Sequence, residues 1–188
     1  AQRGNLLFER RIIHFKLLAL YLHFPDIDEL LRIKPLYVTL TWNGENRLGY
    51  GCDFAEGLKE EGKAFIKRLN AGGIAVDCAH ISKGGFKDII ELADTVVDSH
   101  TCFSAVHKHK ELVLRGGLIG VTCCGYFMTG GKHCKISDFI RQIDYFVQKF
   151  GADNLAVGTD FYGCDFTVGN GAGIHFRKSA VKVFALPS

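Results

Sequence analysis

Two histidines, an aspartate and an aromatic-amide pair are the residues of this 188-residue chain best suited to chemistry. His80 closes the run Ile74-Ala75-Val76-Asp77-Cys78-Ala79-His80, and His100 closes Val96-Val97-Asp98-Ser99-His100 one unit later. A neutral imidazole donates a ring lone pair to zinc while its other N–H is held by an acceptor. Asp77 or Asp98 is placed to be that acceptor. A strand-end histidine seen singly is more often structural; its repetition in consecutive units makes His80 and His100 candidate metal ligands. Asp160, in Gly158-Thr159-Asp160-Phe161-Tyr162-Gly163, is a candidate base or proton shuttle. The flanking glycines equally allow an Asx turn in which the carboxylate bonds its own backbone. Trp42 and Asn43 offer an aromatic platform and an amide for substrate binding, with a core cap as the alternative role for Trp42.

Other clusters carry less. Cys123-Cys124 with His133 and Cys134 superficially suggests a metal cluster, but vicinal cysteines lack the two-residue spacer that brings both thiolates to one zinc. His107, Lys108, His109 and Lys110 read as a solvated helix face.

Side chains at strand ends act only if the strands share an end, and the elements predict that they do. Short β-branched runs at residues 36–40, 74–77, 95–98, 118–122 and 155–157 alternate with helical periodicity over 58–71, 82–92, 104–115 and 137–150. Gly72-Gly73 and Gly116-Gly117 stop two of those helices, and Ser82 is placed to cap another. The last helix is predicted to bury Phe139, Ile140, Ile143, Phe146 and Val147. Strand-helix alternation is the pattern of a parallel sheet, and it matches part of an eight-stranded (β/α) barrel of roughly 250 residues, whose reactive groups sit at the C-terminal strand ends. A doubly wound open sheet shares the alternation, but Trp42-Asn43-Gly44-Glu45 in the first βα turn is not the glycine fingerprint of a dinucleotide site. The fold class is therefore α/β, a partial TIM-type barrel forming a single domain over residues 1–188.

Composition narrows the partners. A net charge of +3 from 23 basic and 20 acidic residues, without a long run of either sign, excludes a nucleic-acid arm or polybasic anchor. The longest apolar stretches, 17–24 and 118–124, fall well short of the roughly 20 residues that span a bilayer, so no transmembrane segment is expected. Seven cysteines, several inside apolar runs, point to a reducing, cytoplasmic setting.

In this order and spacing, Tyr37-Val38-Thr39-Leu40-Thr41-Trp42-Asn43, Val76-Asp77-Cys78-Ala79-His80-Ile81-Ser82, Ser99-His100 and Gly158-Thr159-Asp160-Phe161 resemble segments of the membrane (renal) dipeptidase family of zinc peptidases. Gly117-Leu118-Ile119-Gly120-Val121 and Ile143-Asp144-Tyr145 resemble its connecting elements, and the likeness runs over about residues 28–163. The resemblance implies a barrel of the metal-dependent amidohydrolase kind that holds two zinc ions and hydrolyses dipeptides, some with a D-residue at the C-terminal position. His80 and His100 match ligands of one zinc, and Asp160 matches the acidic residue that handles protons. Trp42 stands where animal members carry a substrate-contacting histidine, within the Trp-Asn-Gly-Glu-Asn string of many bacterial members. Two family features are not recognisable in residues 1–35: the His-x-Asp pair of the first strand and the glutamate that bridges both metals. The arginine expected at the substrate carboxylate aligns with Glu111. These departures leave a catalytically inactive remnant as an alternative to a zinc dipeptidase, and a related amidohydrolase with Asp98 or Glu45 as substitute ligand as another. Uncovered strand edges of a partial barrel also predict self-association into homo-oligomers.

Overall fold

The strands form where short apolar runs need cover on both faces, and the helices where apolar residues recur at helical spacing. The computed structural model describes residues 27–102, 106–129, 135–158 and 160, with the side chains of 29, 33 and 106–109 outside the description. The expectations for His107, His109, His133, Cys134 and Phe161 thus lie outside the described residues or side chains. Two compact units divide the chain, residues 1–97 and 98–188.

The first unit runs α1 (Ile27–Ile33), β1 (Tyr37–Thr39), α2 (Glu60–Gly72), β2 (Ala75–Asp77), α3 (Lys83–Leu92) and the start of β3 (Val96–Thr101). β1 pairs in parallel with β2 in the register Tyr37↔Ala75, Val38↔Val76 and Thr39↔Asp77. β2 pairs in parallel with β3 through Val76↔Val96 and Asp77↔Val97. Every residue of β2 is buried, as a central parallel strand demands. α2 turns Gly62, Ile66 and Leu69 inward at i, i+4 and i+7, and Lys67 and Arg68 outward. Its C-cap, Gly73, sits at φ 64°, where a side chain would be strained, and its N–H reaches the carbonyls of Asn70 and Leu69. Asn70 then ties the next helix to this one: its Nδ2 donates to the Leu92 carbonyl at 2.8 Å and its Oδ1 accepts from the Asp94 N–H at 3.0 Å. Ser82 caps α3 as expected, accepting from the Gly85 N–H at 3.0 Å and donating to the Glu56 carbonyl at 2.5 Å.

The second unit completes β3 and continues with α4 (Val106–Leu114), β4 (Leu118–Val121), α5 (Gly125–Thr129), α6 (Ile136–Phe150) and β5 (Leu155–Val157), with strands in the order β3-β4-β5. β4 and β5 are parallel, in the register Ile119↔Leu155, Gly120↔Ala156 and Val121↔Val157. At the start of α6 the Asp138 carboxylate accepts from the Lys135 N–H at 2.7 Å, satisfying a donor that the first turn leaves open. Leu112, Ile119 and Phe146 are wholly buried.

Three details depart from the sequence expectation. β3 extends through His100 to Thr101, so His100 lies within the strand rather than after it. The short helix α5 has too few residues to show a period, and none was expected there. α6 buries Phe139, Gln142 and Phe146, while Ile140 and Val147 are 47% and 38% exposed. Its inward stripe is centred on a polar side chain, which a count of apolar residues places on the wrong side. Among the described residues no helix is long and apolar enough to cross a membrane.

Candidate functional site

In the first unit the loop after β1 folds over the turn after β2. Asn46 organises that loop: its Nδ2 donates to the Leu40 carbonyl at 2.8 Å, and its Oδ1 accepts the N–H groups of Leu48 and Gly49 at 2.8 and 3.0 Å. An antiparallel bridge between Gly51 and Ile81, together with the 3.0 Å bond from the Ser82 N–H to the Tyr50 carbonyl, fastens the loop to the segment bearing His80. Trp42, Asn43 and His80 are thereby brought together. The indole and imidazole rings stand 6.2 Å apart between centroids at 55°, and Asn43 Oδ1 lies 2.9 Å from His80 Nδ1. Trp42 is 52% exposed, so it forms part of the surface beside His80 rather than a core cap.

The turn that carries His80 is built on a buried carboxylate. Asp77 Oδ2 accepts from Thr39 Oγ1 at 2.7 Å across the β1–β2 pair, and its Oδ1 accepts the Ala79 N–H at 3.0 Å. This local bond closes the turn in which His80 adopts φ 59°. Asp77 therefore shapes the backbone under His80, and the Nδ1 position expected for it is occupied by Asn43.

In the second unit His100 and Asp160 meet. His100 Nε2 lies 4.0 Å from Asp160 Oδ2, with both side chains 20% exposed. On its other nitrogen, Nδ1 is 2.9 Å from Ser99 Oγ, where either Asp77 or Asp98 was expected to provide the contact. Asp98 itself is wholly buried. Gly120 and Gly158 make this meeting possible, because a Cβ at either would fall 2.1 or 1.8 Å from the Ser99 carbonyl oxygen. Only glycine lets β4 and the end of β5 approach the backbone next to His100 so closely.

Asp160 has φ 52°, so two of the candidate site residues, His80 and Asp160, occupy the left-handed region. Such a conformation costs a non-glycine residue on the order of 1–3 kcal/mol and collects where surrounding structure holds a functional side chain in place. The sequence reading missed Cys52, Ser99 and Thr39 as supports for this site; a β-strand threonine and a loop cysteine are too common to be a signal on their own.

The other sequence candidates lie apart from this chemistry. Glu45 is exposed and paired with Lys59, whose ammonium also lies 5.1 Å from the Tyr50 ring centroid. Glu111 and Lys110 are exposed on α4. Cys123 is buried, and Cys124 is partly so.

The zinc chemistry implied by the family likeness fits His80 in one respect. An amide oxygen on Nδ1 makes that nitrogen the N–H and gives Nε2 the lone pair. Among the described residues, however, no group of three His, Cys, Asp or Glu side chains is placed to hold a metal ion. At either histidine further ligands would be needed, since zinc takes at least three protein ligands.

The model of the membrane dipeptidase family, peptidase family M19, matches residues 25–172. An uncharacterised protein of Klebsiella pneumoniae encoded in the pqqA 5′ region is 27% identical over 144 residues, covering 65% of this chain and 53% of that protein. Among solved structures, a metallopeptidase from Rhodobacter sphaeroides, liganded with a phosphinate mimic of the dipeptide L-Ala-D-Ala, superimposes with a TM-score of 0.68 at 21% identity. It covers 76% of this chain and 47% of that one. Dipeptidase AC, a metallopeptidase of family M19, gives a TM-score of 0.69 at 19% identity, with 75% and 48% covered. The chain thus spans about half the length of the relatives it matches. These likenesses show the fold, α/β and part of a TIM-type barrel. With the family match extending over most of its length, from just ahead of α1 to past Asp160, the chain belongs to the membrane dipeptidase family, peptidase family M19.

Proposed function

We propose that this chain carries part of the active site of a zinc-dependent dipeptidase, with His80 and His100 as zinc ligands, Asp160 as the proton-handling residue and Trp42 and Asn43 at the substrate. The observation that carries this reading is the His100–Asp160 pair at the ends of β3 and β5, a ligand-type imidazole and a carboxylate 4.0 Å apart. Zinc, when bound, polarises the scissile carbonyl and lowers the pKa of water toward about 7. Asp160 would take up a proton at its carboxylate and pass it to the departing amine, and its partial exposure leaves it accessible to substrate. The exposed indole of Trp42 packs against a side chain of the dipeptide. The three ligands expected beyond His80 and His100, the two of a His-x-Asp pair and a bridging glutamate, are to be supplied by other residues.

A second reading, a ligand-binding member without turnover, draws on Glu111, an exposed acid where the family expects the arginine of the substrate carboxylate. Elemental analysis of the purified chain, together with hydrolysis of L,L- and L,D-dipeptides, separates the two. Turnover that disappears with zinc in His80→Ala or His100→Ala supports the dipeptidase. For Asp160→Asn the expectation is zinc content unchanged and kcat lower by about 10²–10⁴-fold. Absence of both zinc and turnover in the wild-type chain favours the second reading.

A further inference from the structure

Asn43 makes a contact that a substrate-lining amide does not need. Its Oδ1 lies 2.9 Å from Nδ1 of His80 and 3.2 Å from Sγ of Cys52. A carbonyl oxygen only accepts, and Cys52 Sγ donates to it, so both contacts are best satisfied when the amide oxygen, rather than its NH2 group, faces the ring and the thiol. The ring must then bring its hydrogen on Nδ1.

The backbone that carries the amide is held. The Asn43 carbonyl accepts from the Asp53 N–H at 3.2 Å, and the Gly44 carbonyl accepts from the Gly51 N–H at 2.9 Å, so the chain is pinned directly after the side chain. Across the contact, the Asp77 turn fixes the His80 backbone at φ 59°.

We infer that Asn43 is a positioning residue that fixes His80 as the Nδ1–H tautomer, so that Nε2 carries the lone pair. The use of that lone pair rests on the zinc reading above; the tautomer does not. A neutral amide performs this task without adding charge, whereas a carboxylate in its place would hold the same tautomer and raise the basicity of the ring.

The test uses the full chain, zinc-free, with ¹⁵N-labelled histidine, at a pH where the ring is neutral. Long-range ¹H–¹⁵N spectra report which ring nitrogen is protonated, and His80→Gln identifies the signal. Wild type and Asn43→Asp are expected to show Nδ1–H, and Asn43→Leu a shift toward Nε2–H. A wild-type ring protonated on Nε2 overturns the inference, as does an unchanged Nδ1–H tautomer in folded Asn43→Leu. Should the leucine variant not fold, wild type and Asn43→Asp still decide. In competition titrations with zinc sulfate, Asn43→Leu is expected to weaken binding about 10–100-fold and Asn43→Asp to restore it. If His80→Gln binds zinc as tightly as wild type while the tautomer is as expected, the ligand reading fails and the positioning role stands.

Discussion

Ser99 shows how a single backbone atom can govern a site. Its carbonyl oxygen faces Gly120 and Gly158, and its hydroxyl holds His100. A methyl group at position 120 would stand 2.1 Å from that oxygen, a clash with main chain that no rotamer relieves. Gly120→Ala is therefore expected to lower stability by ~3 kcal/mol or more. Gly44→Ala, where nothing lies within 4 Å of the added carbon, should stay within about 0.5 kcal/mol of wild type. Urea denaturation of the two variants checks the pair, and equal effects would contradict the packing described. Thr39→Val tests the buried carboxylate in the same assay. It keeps the shape but removes the 2.7 Å hydrogen bond to Asp77, for an expected loss of about 1–3 kcal/mol. His80, His100 and Asp160 were legible as candidates because ligand-type and base-type residues recur at the ends of apolar runs. Their supports were not, because Asn43, Ser99 and Cys52 reach them only through a folded loop and neighbouring strands, contacts that leave no period in the sequence.

The helices and strands were read more fully, for the converse reason: their determinants are local. Ser82, Gly73 and the apolar spacing of α2 and α3 each act within a few residues, and each sits where expected. α6 was misread because burial of Gln142 is decided by what packs against it, not by its own polarity. Ser82→Ala should cost about 1–2 kcal/mol, since the hydroxyl both caps α3 and donates to Glu56. Native-state hydrogen exchange at Gly85 should accelerate accordingly; unchanged protection there would show that the cap is dispensable. The first turn of α2 gives a pH signature. Hydrogen bonds from Lys63 and Arg47 hold the carboxyls of Glu60 and Glu61 below their ordinary range. A depressed carboxyl contributes stability that is present above its unfolded pKa and lost as pH falls through the folded one. Both groups are exposed and salt-screened, so thermal scans should show a small acid-side loss that 1 M salt, as a round figure, abolishes. A loss that persists in salt would show that these two surface pairs are not its source.

The distribution of apolar surface is uneven between the two units. Among the described residues, the large exposed apolar side chains of the second unit are Leu114, Tyr126, Phe127, Ile136, Ile140 and Val147; those of the first are Trp42 and Phe54. Trp42 belongs to the candidate site, whereas the residues on α6 have no role in it. Ile136, Ile140 and Val147 recur at i, i+4 and i+11 and form one stripe beside the buried stripe of Phe139, Gln142 and Phe146. An apolar helix stripe in water favours association with another apolar surface. The 188-residue chain by itself is accordingly expected to self-associate, with a weight-average mass that rises with concentration in sedimentation experiments. The double variant Ile140→Glu/Val147→Lys leaves the net charge of the chain unchanged, so any effect reports the lost apolar surface rather than added repulsion. Because the two side chains are 47% and 38% exposed, the variant should still fold, with an unfolding midpoint lowered only modestly, while association weakens by about tenfold or more, the 1.4 kcal/mol that burial of some 55 Å² of apolar surface would supply. A wild-type chain that remains monomeric at high concentration, or a variant that associates as strongly as wild type, would show that this stripe does not drive assembly.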